Sequence, residues 1–233
     1  MKTTQLIYGI TAAIFIASAL RGTSVREVTV FSSVTVDGRK LPLPSVDQPV
    51  NCILVSEGYQ EIGDGESAGA SSPAAQVLNP LIVALTKYSF QCVRQGGTPP
   101  PLMILCHWGH ATPRPIDAGP EFDHERAQML ALVGGEALGR GLPFECEAIR
   151  AAANEERFFM VVSAYDFAAY TEKRVRRLLW RTLMSVPSYQ LSPVQAWPLL
   201  TATGAALFGH ETSMPRRIDV NVSGILNPEG PAR

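Results

Sequence analysis

The chain has 233 residues, 46% of them hydrophobic and 18% charged, with 20 Lys and Arg against 21 Asp and Glu for a net charge of −1. That length suits one domain with short appendages, and the even charge balance excludes a general cationic field, so no nucleic-acid partner is expected.

Between Lys2 and Arg21 lies an uncharged stretch, Thr3 to Leu20, in which Ala17-Ser18-Ala19 matches the small-x-small site that ends a secretory signal. A spanning helix needs about 20 mostly apolar residues, and Thr, Gln and Gly interrupt this one. Residues 1–19 therefore read as a signal peptide, favoured over a membrane anchor, and the rest as exported to the periplasm or beyond. Membrane contact would run only through residues 3–20, if they are kept. The first 50 residues contain no Cys, so acylation of an N-terminal cysteine is excluded.

A single α+β domain is expected over 26–210, built on a mixed or antiparallel sheet of about five strands covered by helices, with 211–233 a mostly irregular tail. Arg26 to Val36 carries β-branched residues at Val28, Val30, Val34 and Val36 with Ser and Thr between them, the mark of a half-exposed strand ended by Asp37-Gly38. A Pro-rich linker from Leu41 to Pro49 leads to a more apolar strand, Asn51 to Ser56. Glu57 to Ser72 reads as a loop, closed by Ser72 as an N-cap with Pro73 at the first helical position. Val77, Leu78, Leu81, Ile82, Leu85 and Tyr88 then share one face of a 3.6-residue period, giving a helix to about Ser89 that Pro80 should kink, or restart at Asn79.

Phe90 to Val93 is a short strand. Leu102 to Trp108 is apolar on both alternating faces, as in a central strand covered on both sides. Asp123 can cap a helix to about Val133, stopped by Gly134-Gly135, and Phe144 to Glu156 reads as another. FFMVVSAYDF and LLWRTLMSV, separated by the charged segment Glu172 to Arg177, read as a long antiparallel hairpin. Ser192, Pro193 and Gln195 form a capping box for a last helix, with Val194, Trp197, Leu200 and Leu207 as its buried side and Gly209 as its stop.

Candidate chemistry is sparse. Cys106, His107, His110 and His124 are the right types for zinc or a nucleophile–base pair, but adjacent strand residues face opposite ways, which keeps Cys106 and His107 from converging. Glu57, Glu61, Asp64 and Glu66 could offer oxygens to a hard cation, yet the segment lacks the EF-hand pattern and reads as a solvated turn. Ser163 and Asp166 have no nucleophile-elbow sequence around them. Lys173, Arg174, Arg176, Arg177 and Arg181 form a basic group of the kind that blocks edge pairing, and Trp108 and Trp180 read as core. No nucleotide loop or metal-ligand spacing occurs, so no cofactor is expected. Cys52, Cys92, Cys106 and Cys146 permit three full pairings, among which the spacing does not choose, and four buried unpaired thiols is the simpler reading.

The motifs GYQEIGD from Gly58, then PPLMILCHWG, VVSAYDF and LLWRTLMSV, with a helix closing on Leu207-Phe208-Gly209, resemble in order and spacing a family of uncharacterised bacterial exported envelope proteins. More distantly the chain is similar to envelope lipoproteins of unknown function. The resemblance implies a compact α+β domain outside the inner membrane with no assigned cofactor, reaction or site residue. The favoured expectation is a non-enzymatic binding or structural component with an envelope protein partner. The alternative is a small hydrolase or metal-dependent enzyme centred on Asp64, His107 and Asp166. Asp64, His107, Trp108, Asp166 and Arg181 are the functional candidates.

Overall fold

The computed structural model describes residues 25–63, 73–93, 99–114, 119 and 122–222. Residues 1–24, which include the stretch read above as a signal, together with Asp64, Glu66, Ser72 and the last residues of the tail, lie outside them. The architecture is α+β. Among the described residues seven strands, rather than about five, form one mixed sheet: β1 (Val25–Val34), β2 (Val50–Ile62), β3 (Phe90–Cys92), β4 (Leu102–Ala111), β5 (Arg157–Asp166), β6 (Leu178–Pro187) and β7 (Arg216–Asn221), in the order β3-β2-β4-β5-β6-β1-β7. The β3-β2-β4 third is parallel and the remainder antiparallel. Five α-helices among the described residues accompany it: α1 (Ala74–Lys87), α2 (Asp123–Leu132), α3 (Pro143–Ala153), α4 (Phe167–Lys173) and α5 (Pro193–Gly204).

The two-sided apolar pattern of β4 matches its place inside the sheet. One face, carrying Ile104, Cys106 and Trp108 from β4 with Met160 and Val162 from β5, packs against Leu81 and Leu85 of α1 and Trp197 and Leu200 of α5. The other carries Phe159, Val161 and Leu183 against Met129 and Leu132 of α2 and Ile149 of α3. Fully burying such side chains is worth about 1.5–3 kcal/mol each, so helices on both faces follow from strands that are apolar on both.

The expected hairpin is present as the β5–β6 antiparallel pair, with Phe158 opposite Val186 and Val162 opposite Thr182. Its connector is more than a charged turn. Asp166 accepts a 3.0 Å hydrogen bond from Ala169 N–H and caps α4, which Arg174 ends in the left-handed conformation at φ 55°. In α5 the capping box forms as expected, with Ser192 N–H donating to Gln195 Oε1 at 3.1 Å. Val194, however, is exposed, since it stands in the first turn of α5, ahead of the buried stretch that begins at Ala196.

Further expectations change. The chain from Glu57 to Ile62 continues β2 instead of looping. Residues 216–221, assigned by composition to an irregular tail, form edge strand β7 on β1, with Ile218 and Val220 turned inward and charged residues outward. Finally, α1 runs through Pro80 without restarting at Asn79, Pro73 stands before its first turn, and Phe122 rather than Asp123 takes the cap position of α2.

Candidate functional site

A polar cluster gathers where β2 departs from regular pairing with β4. Ser56 pairs with Cys106 and Gly58 with His107, so Glu57 is the extra residue of a β-bulge, and Gly58 supports it at φ 90°. Bulges bend a strand and re-aim side chains. Here Glu57 Oε2 comes to 3.5 Å from His107 Nδ1 and Oε1 to 3.3 Å from the Arg176 guanidinium. On the same face two strands away, Arg181 Nε donates to Ser163 Oγ at 3.2 Å. Burial holds the His107 imidazole below its ordinary 6.5, with Glu57 opposing that shift and Arg181 adding to it, so His107 is neutral at pH 7.

Of the five candidates, His107 and Arg181 therefore share one face. Trp108 and Asp166 do not join them. Trp108 is 2% exposed and packed in the opposite core. Asp166 pairs in register with Leu102, five residues along from Val161, the partner of His107, which separates it from His107 by roughly 16 Å along the strand. Its carboxylate is engaged by Ala169 N–H and by Arg177 at 3.5 Å. Asp64 lies outside the described residues. The grouping of His107 with Asp166 is thus not met, since strand register sets them far apart and on alternate faces.

Cys106 and His107 do point to opposite faces. Burial, with the Glu57 charge adding to it, pushes the Cys106 thiol up to about 12, which makes it a core residue and not a nucleophile. His110 Nε2 meets Glu156 at 2.8 Å and its ring packs on Phe158, while His124 is exposed on α2, so neither approaches His107. Glu57 is committed to His107 and Arg176 and is part of a strand, which takes it out of the acidic turn read from composition. Among the described residues no group of three or more His, Cys, Asp or Glu side chains is placed to hold a metal ion.

Two concave features escaped the sequence reading. One, of about 280 Å³, lies between α2 and α3 beside Arg114, Arg126 and Arg150. Its arginines answer nearby carboxylates, Arg114 to Glu125 at 2.8 Å, Arg126 to Asp123 at 2.7 Å and Arg150 to Glu147 at 3.8 Å, and Arg114 also sits over the Phe122 ring.

The other is an apolar crevice of about 160 Å³, which shares Gly38, Leu41, Leu43 and Gly209 with a neighbouring, more polar hollow of about 250 Å³ beside Arg39, His210 and Glu211. The Pro-rich segment Leu41 to Pro44 folds over the sheet edge near Val50, Phe90 and Trp180 and forms its wall. Trp180 stacks on Phe208 at 5.7 Å and tilts against Phe90 at 5.8 Å, giving the crevice a rigid aromatic floor. Gly209, at φ 75°, lets the chain turn beside Trp180, where a side chain would meet Leu43 at 3.4 Å. Two apolar side chains of its lining are exposed: Leu43 at 51% and Leu41 at 40%. The one local signal was the alternation of Leu and Pro over residues 41–44, which taken alone reads as a linker.

Among the described residues no helix is long and apolar enough to cross a membrane. No family model and no curated protein matches the chain. Five chains of solved structures match. One is a PDZ domain protein from Parabacteroides distasonis, to which the chain is similar at 13% identity and a TM-score of 0.44, over 87% of this chain and 41% of that one.

Proposed function

We propose that this chain is an exported, envelope-associated binding component whose crevice at Trp180 receives one apolar side chain of a partner protein. The observation that carries this reading is the match between size and lining. A dry cavity of about 150 Å³ accommodates a benzene-sized group, whereas pockets for small-molecule ligands run to about 300–1,000 Å³. A crevice of about 160 Å³ floored by Trp180 and Phe90 and rimmed by exposed Leu43 fits a single Leu, Phe or Pro ring presented by a larger surface. Aromatic anchors in such clefts dominate interface energetics.

Export is the reading of residues 3–20, and it agrees with the resemblance to envelope proteins stated above. The wide separation of His107 from Asp166 favours binding over the hydrolase alternative. A photo-crosslinking residue at Leu43 tests the docking role directly. In intact cells it should capture a discrete partner, while the same residue at Val194, equally apolar and 59% exposed but on α5, should not. Leu43→Asp should cut capture at a neighbouring probe at Val46 by at least 10-fold while leaving the melting temperature unchanged, the loss expected when about 1.4 kcal/mol of contact goes. Equal capture at positions 43 and 194 would refute the reading. Sequencing the N-terminus of protein recovered outside the cytoplasm tests export, with a new terminus at Leu20 expected.

A further inference from the structure

The four cysteines are not equivalent. Cys52 on β2 and Cys92 on β3 are direct register partners on neighbouring parallel strands, and their Sγ atoms lie 3.7 Å apart. Neighbouring strands stand about 4.7–4.9 Å apart, inside the roughly 4.4–6.8 Å Cα separation that disulfides span. The register thus puts the pair within the backbone separation that a disulfide spans, and the sulfurs have about 1.7 Å to close from 3.7 Å. Cys106 lies four residues further along the same face, opposite Ser56, and Cys146 is on α3, across the sheet. Of the three full pairings that four thiols allow, none can form in this fold. The two that omit Cys52–Cys92 need partners several residues apart or across the sheet, and the third needs Cys106 to meet Cys146 through the sheet.

We infer that Cys52 and Cys92 are a dithiol that closes to an intramolecular disulfide when the protein meets a disulfide donor, leaving Cys106 and Cys146 as thiols. The donor is a small-molecule disulfide or an oxidised thiol–disulfide exchange protein. Cys92 is the more accessible of the pair, and the Cys52 thiol hydrogen-bonded to it lowers its ordinary thiol range, so Cys92 is the attacking thiolate. Its sulfur attacks one donor sulfur, breaking the donor bond and releasing one donor thiolate. Buried Cys52, held up in range by that same hydrogen bond and by burial, gives its proton to the departing side and attacks the Cys92 sulfur of the mixed disulfide, which expels the second donor thiolate. Two protein thiols are oxidised and one donor disulfide is reduced to two thiols.

The bond would close a loop of about 40 residues that contains α1. It also ties edge strand β3 to the sheet two residues from Phe90, part of the crevice floor. The inference needs only the thiol geometry and stands apart from the docking proposal, whose crosslinking test has a separate readout.

The test uses the full chain purified reduced, then treated with oxidised glutathione. Titratable thiols in denatured samples should fall from four to two. Intact mass should drop by two hydrogens, and peptide mapping should join the Cys52 and Cys92 segments. The oxidised form should melt roughly 10 °C higher, as expected for closing a loop of this length in a chain of this size. Cys106→Ser and Cys146→Ser should oxidise as before, and Cys92→Ser should lose both the link and the rise in melting temperature. Retention of four thiols, a persistent glutathione adduct on Cys92, or a link involving Cys106 or Cys146 would each overturn the inference. Because Cys92 is only half-buried on an edge strand, Cys92→Ser keeps the fold needed for the comparison, and the mapping on the unsubstituted chain decides the matter without it.

Discussion

Gly109 and Gly204 allow a sharp test of how this fold is held, because each would receive one methyl group in a buried place against a different kind of neighbour. A Cβ on Gly109 would fall 1.7 Å from the Gln60 carbonyl oxygen, its register partner on β2, and 2.9 Å from Phe159 Cζ. A Cβ on Gly204 would fall 2.1 Å from Met184 Sδ and 2.5 Å from its Cγ. In Gly109→Ala the obstructing atom is backbone in a hydrogen-bonded ladder, so relief requires β2 and β4 to part by more than 1 Å, to beyond the 3.0 Å that real Cβ atoms respect. The overpacking and the ladder hydrogen bonds lost with it amount to about 3 kcal/mol or more, or roughly 6–12 °C in melting temperature for a chain of this size. In Gly204→Ala the obstruction is a flexible thioether that can adopt another rotamer, and helix propensity returns at most about 1 kcal/mol at the last residue of α5. The net change should stay within about 1 kcal/mol. Urea unfolding followed by tryptophan fluorescence at constant m-value measures both. Combining Gly109→Ala with Phe159→Leu should restore little, since the carbonyl remains, whereas Met184→Ala should show favourable coupling with Gly204→Ala. Equal costs for the two glycine substitutions, or a cost under about 1 kcal/mol for Gly109→Ala, would refute the distinction between fixed and movable neighbours.

Three further outcomes are expected. Because burial lowers the His107 value in the folded chain below 6.5, the unfolded chain takes up the proton first; the stability of the neutral form is present above about pH 6.5 and is lost as pH falls towards the folded value, so the unsubstituted protein should lose more stability between pH 7.5 and 5.5 than His107→Gln, as thermal melts at the two pH values would show. Gly58→Ala meets no atom within 4 Å but is strained at φ 90°, so it should cost about 1–2 kcal/mol by backbone alone, and relaxation of the bulge should draw Glu57 away and lower the His107 value further, readable by NMR titration of its ring protons. Arg157, 1% exposed, donates to Ser185 Oγ and Thr29 Oγ1 at 3.1 Å each and pairs with Glu155 at 2.6 Å; Arg157→Ala should cost about 3–5 kcal/mol through cavity and stranded acceptors, and Arg157→Met about half of that because its volume is kept and half-exposed Glu155 rehydrates, whereas equal costs in denaturant titration would show that charge alone matters.

Much of the architecture could be read along the chain, and for identifiable reasons. The β5–β6 pair, β4 and α5 announce themselves through signals confined to about a dozen residues: alternation or continuous apolarity in the strands, and Ser192 with Pro193 and Gln195 at the helix start. The misread elements are those in which local composition points the other way. Arg216 to Asn221 looks polar until β1 supplies the ladder that pairs it, and Glu57 to Ile62 looks like a turn until β4 does the same. Asp166 reads as one of three residues of a polar centre with Asp64 and His107 because the helix it caps, only seven residues long, leaves too short a period to notice.

The candidate sites were less legible still. Sequence alone settled which residue types were available: four thiols, a histidine beside a cysteine with opposed side chains, a Leu and Pro alternation, and a tryptophan in each of β4 and β6. It could not say that Cys52 stands opposite Cys92, that one inserted residue turns Glu57 towards His107, or that residues 41–44 close a crevice over Trp180. Those facts depend on strand register and on contacts between segments 40 to 140 or so positions apart. Register shifts by whole residues and reverses the facing of every side chain when it does, so it is chosen by how both faces of the assembled sheet pack against their helices, a cooperative choice that no single stretch of sequence carries.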